Sequence, residues 1–85
     1  MKYIIETKFN IGDVVYAVDH YYDYYASHTP YTITDILINI NNRNTRIMYC
    51  VKQGENTDRF PEDWLFNTYE ECDMWCREHN KGGNL

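Results

Sequence analysis

No stretch of this chain approaches the roughly 18 apolar residues needed to cross a membrane. The N-terminus, Met1-Lys2-Tyr3-Ile4-Ile5-Glu6, also lacks the apolar core of a secretory leader. Glycine is scarce: the four residues are scattered, so no loop can cradle a phosphate through its backbone. Cysteine is scarce and odd in number. Cys50, Cys72 and Cys76 cannot all pair, which predicts reduced thiols and a cytoplasmic setting. Basic residues are few, with eight Lys and Arg against thirteen Asp and Glu. Repeats, low-complexity tracts and linkers are missing, so the 85 residues are expected to form one domain. A domain of that size hides only about 60–65% of the surface its unfolded chain exposes, and each large apolar side chain counts.

Aromatics are what the chain has in surplus: nine Tyr, three Phe and two Trp. Tyr supplies contact area and a polar tip at low entropy cost, which suits binding surfaces. Filling a small β core uses the same residues. Charge is placed unevenly. Residues 1–52 hold five bases and five acids, whereas residues 53–85 hold three bases and eight acids. The negative excess of five therefore lies wholly in the last third. Such a surface repels nucleic-acid phosphates and attracts basic protein surfaces, although solubility alone also favours it.

The pattern along the chain predicts strands and then one helix. Phe9-Asn10-Ile11-Gly12-Asp13 reads as a turn with Gly12 at positive φ, after a short β-like stretch at Tyr3-Ile4-Ile5. Val14–Val18 is β-branched and aromatic, hence a strand. Asp19 to Pro30 has neither helical nor strand periodicity and reads as a long loop or splayed hairpin tip. Tyr31–Ile40 is a second strand. Tyr31 and Ile33 share one parity while Ile36, Ile38 and Ile40 share the other, so a bulge or sharp bend is required near Thr34-Asp35. Asn41-Asn42-Arg43-Asn44 reads as a hairpin turn through left-handed Asn conformations. Thr45 to Lys52 returns with Ile47, Tyr49 and Val51 on one face. Gln53 to Asp58 is a polar turn around Gly54. Arg59 to Phe66 is a short strand or turn that Pro61 keeps off the middle of a sheet. Thr68-Tyr69-Glu70-Glu71 has capping-box form. Cys72, Trp75, Cys76 and His79 then fall on one helix face, with the helix expected over about 68–80 and a frayed tail at 81–85.

Phe9-Asn10-Ile11-Gly12-Asp13-Val14-Val15-Tyr16 resembles the F-x-x-G-D-x-V-Y opening of SH3-like barrel domains, as it recurs in small proteins of phages and mobile elements of Gram-positive bacteria. The runs Tyr31-x-Ile33-x-x-Ile36-x-Ile38 and Phe60-x-Glu62-x-x-Leu65-Phe66-x-Thr68, followed by a Glu-rich helix, fit the same pattern. The resemblance covers roughly residues 8–79. It implies a mainly β (α+β) fold: a small, bent SH3-like barrel of about five strands, spanning 3–66 and closed by a C-terminal helix. Small acidic phage proteins of this size include inhibitors of host defence enzymes, anti-CRISPR proteins among them. The Tyr-rich insertion at 19–31 departs from the short loop that the family would place there.

Catalysis finds little footing. A nucleophilic Cys needs a basic partner, but Cys72 and Cys76 lie among acids and Cys50 is mid-strand. Cys72-x3-Cys76-x2-His79, completed by His20 or His28, has ligand-type side chains, yet it lacks the tight C-x2-C pairing of structural zinc sites and equally describes a buried helix stripe. No metal, cofactor or enzyme is expected. Tyr21-Tyr22-Asp23-Tyr24-Tyr25-Ala26 superficially resembles the acidic aromatic loop of proline-rich-peptide binders. Six aromatic or His side chains between His20 and His28 cannot all be buried, and exposed aromatics act as binding anchors. The expectation is a non-catalytic protein-binding module, monomeric or a small homo-oligomer. One candidate surface is Tyr21, Tyr22, Tyr24, Tyr25 and Tyr31. The other is Glu62, Asp63, Glu70, Glu71 and Asp73, which would attract a partner with a basic surface. The alternative is a nucleic-acid-binding accessory domain using Arg43 and Arg46, for which the barrel's balanced charge is a poor footprint.

Overall fold

A computed structural model describes residues 4–81 of the chain. Its elements in order are β1 (Val14–His20), β2 (Tyr24–Ala26), β3 (Tyr31–Ile40), β4 (Thr45–Gln53), β5 (Asn56–Pro61), a 3-10 turn (Glu62–Trp64), β6 (Leu65–Phe66) and α1 (Tyr69–Lys81). The strands form one antiparallel sheet in the order β2-β1-β3-β4-β5, and β6 adds to β1. This is the mainly β architecture with a C-terminal helix that the sequence predicts. The sheet is open among the described residues, since no ladder joins β5 to β6 or to β2. No described helix is long and apolar enough to cross a membrane.

Gly12 takes φ 95° and closes the turn into β1. Its N–H donates to the Ile33 carbonyl at 2.8 Å, and the Ile33 N–H donates to the Asp13 carbonyl at 2.9 Å. These bonds pin the start of β3 to the start of β1. The expected strand at Tyr3–Ile5 does not form over its described part: Ile4 and Ile5 lie in irregular backbone, and Tyr3 lies outside the described residues. The Asn41–Asn44 turn forms without left-handed Asn, because no described residue other than glycine has positive φ. The Asn41 Oδ1 instead accepts from the N–H groups of Arg43 and Asn44 at 2.8 and 3.1 Å, an Asx-type turn that replaces the left-handed solution. The polar turn after β4 contracts to Gly54-Glu55, with Gly54 at φ 63°. Pro61 ends β5, an edge strand that can spare its N–H.

The parity switch in β3 is a bulge. Ile33 pairs with Val51 and Asp35 with Cys50, so Thr34 is the extra residue, and its hydroxyl donates to the Cys50 carbonyl at 3.3 Å. The slip brings Ile33 and Ile36 onto the same face as Val51 and Tyr49. A first core forms there from Phe9, Val15, Ala17, Ile33, Tyr49, Val51, Phe60 and Leu65. Tyr49 is fully buried, and its hydroxyl is satisfied: it donates to Glu62 and accepts from the Phe9 N–H.

A second core lies on the opposite face of β1. Val18 and Ala26 meet Cys72 and Cys76 of α1, with Tyr16, Tyr24, Phe66, Tyr69 and Trp75 packed around them. Thus β1 is covered on both faces, with Val15 and Ala17 in one core and Val18 in the other. The predicted helix stripe is the one used for this contact. Its cap differs in detail. Thr68 Oγ1 accepts from the Glu71 N–H at 3.2 Å as expected, but Glu71 reaches back to the Thr68 hydroxyl at 3.0 Å and not to its N–H.

Candidate functional site

The segment from Asp19 to Pro30 is a hairpin with a defined address. β1 runs on to His20, the tip is Tyr21-Tyr22-Asp23, and β2 returns with Val18, Asp19 and His20 facing Ala26, Tyr25 and Tyr24. The Tyr21 N–H donates to the Asp23 carbonyl at 3.2 Å and tightens the tip. Where the chain leaves β2, buried Ser27 keeps it attached. The Ser27 N–H donates to the Ala17 carbonyl at 2.9 Å, and Ser27 Oγ accepts from the Ala17 N–H at 3.0 Å. The hydroxyl replaces a backbone carbonyl there, so the excursion to β3 leaves no orphaned donor.

The hairpin lies along α1 and is fixed at both ends. At the far end, Asn80 Oδ1 accepts from the Tyr24 N–H at 2.9 Å and Asn80 Nδ2 donates to the Tyr24 carbonyl at 2.7 Å. One side-chain amide thereby acts as a neighbouring strand for the exposed edge of β2. The Tyr24 ring makes edge-on contacts with Trp64 at 5.7 Å and Trp75 at 5.3 Å. His79 stacks on Trp75 at 3.6 Å. At the near end, His28 stacks on Tyr69 in the first helical turn at 5.7 Å. Asn80→Ala is expected to cost about 1–2 kcal/mol, since two bonds to backbone are lost. Amide hydrogen exchange at Tyr24 should accelerate in that variant, and an unchanged rate would mean that the amide clip does not hold the hairpin.

The tyrosines divide accordingly. Tyr21 and Tyr22 are 74% and 83% exposed and pack edge-on against each other, and Tyr25 is 48% exposed. Tyr24 is turned inward onto the two tryptophans. Tyr31 is half-buried with its ring against Phe60 at 5.6 Å. Asp19 and Tyr25 face each other across the hairpin. Burial, and secondarily the charge of Asp58, push the Asp19 carboxyl up. Burial first, then Asp19, Asp58 and Tyr25, push the Tyr31 hydroxyl up. Asp58 thus lies close enough for its charge to act on both Asp19 and Tyr31 beside the hairpin.

The acids singled out from the sequence are also divided. Glu62 is half-buried and engaged internally, accepting from the Tyr49 hydroxyl and from the Lys8 N–H at 3.0 Å. Asp63 is exposed and borders a groove with Arg46. Asp73 pairs with Arg77 at 2.8 Å. Glu70 and Glu71 are exposed in the first turn of α1, next to the residue on which His28 stacks. Asn80 and Asp58 have roles at this surface that the sequence pattern does not signal.

The thiols are placed for packing. Burial, and then Cys76 beside it, push the Cys72 thiol up to about 12, and burial pushes Cys76 up as well. Neither carries a thiolate near neutral pH. His79 Nδ1 lies 2.8 Å from the Trp75 carbonyl. Among the described residues no three His, Cys, Asp or Glu side chains converge to hold a metal ion. No family model, curated protein or solved structure matches the chain.

Proposed function

We propose that this chain is a non-catalytic protein-binding module that captures a partner with a basic surface through the tip and base of the tyrosine hairpin. The observation that carries the reading is the contrast within that hairpin. Its backbone is clipped to α1 by Asn80 and to β1 by Ser27, while Tyr21, Tyr22 and Tyr25 are left in solvent. Aromatic anchors already held in place lose little entropy on binding. Asp19 and Asp58 at the hairpin base, with Glu70 and Glu71 on the helix, supply the charge that steers a basic partner. The architecture we propose is a bent, partly open SH3-like barrel. It is supported by the bulge that folds β3, by the 3-10 turn before β6, and by the return of β6 to β1. Together with the resemblance of Phe9–Tyr16, this favours an inhibitor of the phage or mobile-element kind, acting in a host cytoplasm on a host protein such as a defence enzyme.

The double variant Tyr21→Ala/Tyr22→Ala is expected to weaken partner capture by about a hundredfold or more, as loss of two central anchors does. Its circular dichroism and melting temperature should be unchanged, because both rings are exposed. Rising salt should weaken the wild-type association. Undiminished capture by the double variant defeats the proposal. The exposed Arg43 and Arg46 at the end of β3 and β4 favour the second reading, a nucleic-acid-binding accessory domain. A gel shift with DNA or RNA that the double Tyr variant retains and an Arg43→Ala/Arg46→Ala variant loses would select it.

A further inference from the structure

The bulge that folds Ile33 and Ile36 onto the core has a second effect. Among the described residues β3 pairs with β1 only at Tyr31 and Thr32, so from Thr34 to Ile40 it has β4 on one side and no described strand on the other. β5 ends opposite Met48, so β3 and β4 project beyond it as a two-stranded ribbon. The core face runs out along this ribbon. Ile33 is buried and Ile36 half-buried, but Ile38 and Ile40 are 44% and 38% exposed, and Leu37 on the other face is 41% exposed. A two-stranded ribbon is marginal in water. The edge carries no Lys or Pro, and its one charge, Asp35, and the Thr34 bulge both lie at the end next to the core, which leaves Ile36 to Ile40 without a residue that blocks pairing.

We infer that the occupant of this edge is a second copy of the chain, paired antiparallel through Thr34–Ile40 about a two-fold axis at Leu37. Backbone geometry permits it. Asn41 and Asn44 form a bonded pair, and such pairs alternate in an antiparallel ladder. Asn39 with Arg46 and Leu37 with Met48 share that parity. The N–H and C=O groups of Ile36, Ile38 and Ile40 therefore point away from β4, toward the open side. Leu37 is the midpoint of the open segment, so pairing along its whole length puts Leu37 opposite itself and Ile36 opposite Ile38 of the second copy.

Side-chain chemistry matches the same register. The one ionisable group on the edge, Asp35, falls opposite Asn39 of the second copy and not opposite another Asp35. Asn39 is in turn flanked by Arg46 on β4, so the carboxylate meets an amide with a guanidinium beyond it. On the other face Ile36, Ile38 and Ile40 of both copies form one apolar row, with Ile47 beside it. The net charge of −5 per chain does not oppose this contact. Between residues 34 and 48 the ionisable groups are Asp35, Arg43 and Arg46, and the acidic excess lies beyond residue 52. The interface is isologous, as a closed two-fold dimer requires. It is separate from the tyrosine hairpin and would present two of them on one particle.

Sedimentation equilibrium of the full chain, from micromolar to millimolar, should show the mass rising from 10.3 kDa toward twice that value. Asn39→Asp sets Asp35 against a second carboxylate at both symmetry-related positions of the dimer and should move the transition to higher protein concentration. Register is tested in a Cys50→Ser background. Leu37→Cys should form a covalent dimer under mild oxidation, because non-bonded cross-strand pairs lie about 4.5 Å apart at Cα, within disulfide span. Asn39→Cys alone should not, since its counterpart is residue 35. A single-chain mass at all concentrations overturns the inference. So does cross-linking of Asn39→Cys in preference to Leu37→Cys, and so does an Asn39→Asp variant that dimerises as well as wild type. Circular dichroism of each variant separates lost pairing from lost fold.

Discussion

Trp75→Ala is expected to cost about 3–5 kcal/mol and to lower the melting temperature by roughly 15–25 °C. The indole sits where three elements meet. It contacts Tyr24 of β2 at 5.3 Å, Trp64 of the 3-10 turn at 6.1 Å and Phe66 of β6 at 6.4 Å, and carries His79 on its face. Removing it takes a large apolar surface out of the smaller of the two cores, whose buried members among the described residues are Val18, Ala26, Cys72 and Cys76. Tyr24, its nearest aromatic neighbour on the sheet, is held by its backbone to Asn80, which limits its movement into that space. Met74, the preceding residue on the helix, is 62% exposed. Met74→Ala should stay within about 0.5 kcal/mol. Thermal unfolding of the two variants side by side gives the comparison. A Trp75→Ala loss below about 1 kcal/mol would show that α1 docks by some other contact.

Alkali is expected to unfold the chain well before it touches the backbone. The Cys72 thiol is pushed up from 9.0 to about 12, mainly by burial and then by Cys76. The Tyr49 hydroxyl is pushed up from 10.0 to about 12, mainly by burial and then by its bond to Glu62. In both cases the folded chain holds the proton more tightly than the unfolded chain. Their contribution is therefore complete below the unfolded values, and it is lost as pH climbs from about 9 through about 12. Holding a proton tenfold more tightly is worth about 1.4 kcal/mol. The two groups together forfeit several kcal/mol, against a total stability on the order of 5–15 kcal/mol for a small domain. Denaturant titrations at neutral pH and at steps through this window should show the midpoint falling steadily. Cys72→Ala and Tyr49→Phe, each less stable at neutral pH, should each fall less steeply. A wild-type midpoint that stays level across the window contradicts the assignment of these two buried protons.

Strand parity and capping chemistry make much of the fold legible. The ends of β3 at Tyr31 and Ile40, the bulge at Thr34 and the inward stripe of Cys72, Trp75 and Cys76 all follow from spacing, because spacing reports which residues share a face. It does not report whether anything covers that face. Ile38 and Ile40 belong to the same row as Ile36, and only the lengths of β1 and β5 decide that the row outruns its core. Residues 19–30 look irregular because Tyr, His and Asp alternate with no apolar period, yet Tyr24–Ala26 pairs as a strand through backbone groups that pattern does not weigh. Asn80 falls at the expected end of the helix, and its grip on Tyr24 depends on a contact across 56 residues of chain. The tyrosine surplus points to an exposed cluster. It cannot single out Tyr24 as the member turned inward, since that depends on where Trp64 and Trp75 lie.

The sequence distance between Tyr24 and Asn80 also matters while the chain is being made. Ribosomes add about 5–20 residues per second, so the hairpin is complete roughly 3–11 seconds before the amide that clips it exists. For part of that interval, until Leu65 and Phe66 are made, β1 also lacks β6, and Val18 stays uncovered until the two cysteines follow. A nascent chain thus displays its tyrosines on an unsupported hairpin until the last turn of α1 clears the exit tunnel. Slowly translated synonymous codons just upstream of Leu65 would lengthen that interval without changing the chain, and the yield of soluble protein would report how much exposure the hairpin tolerates.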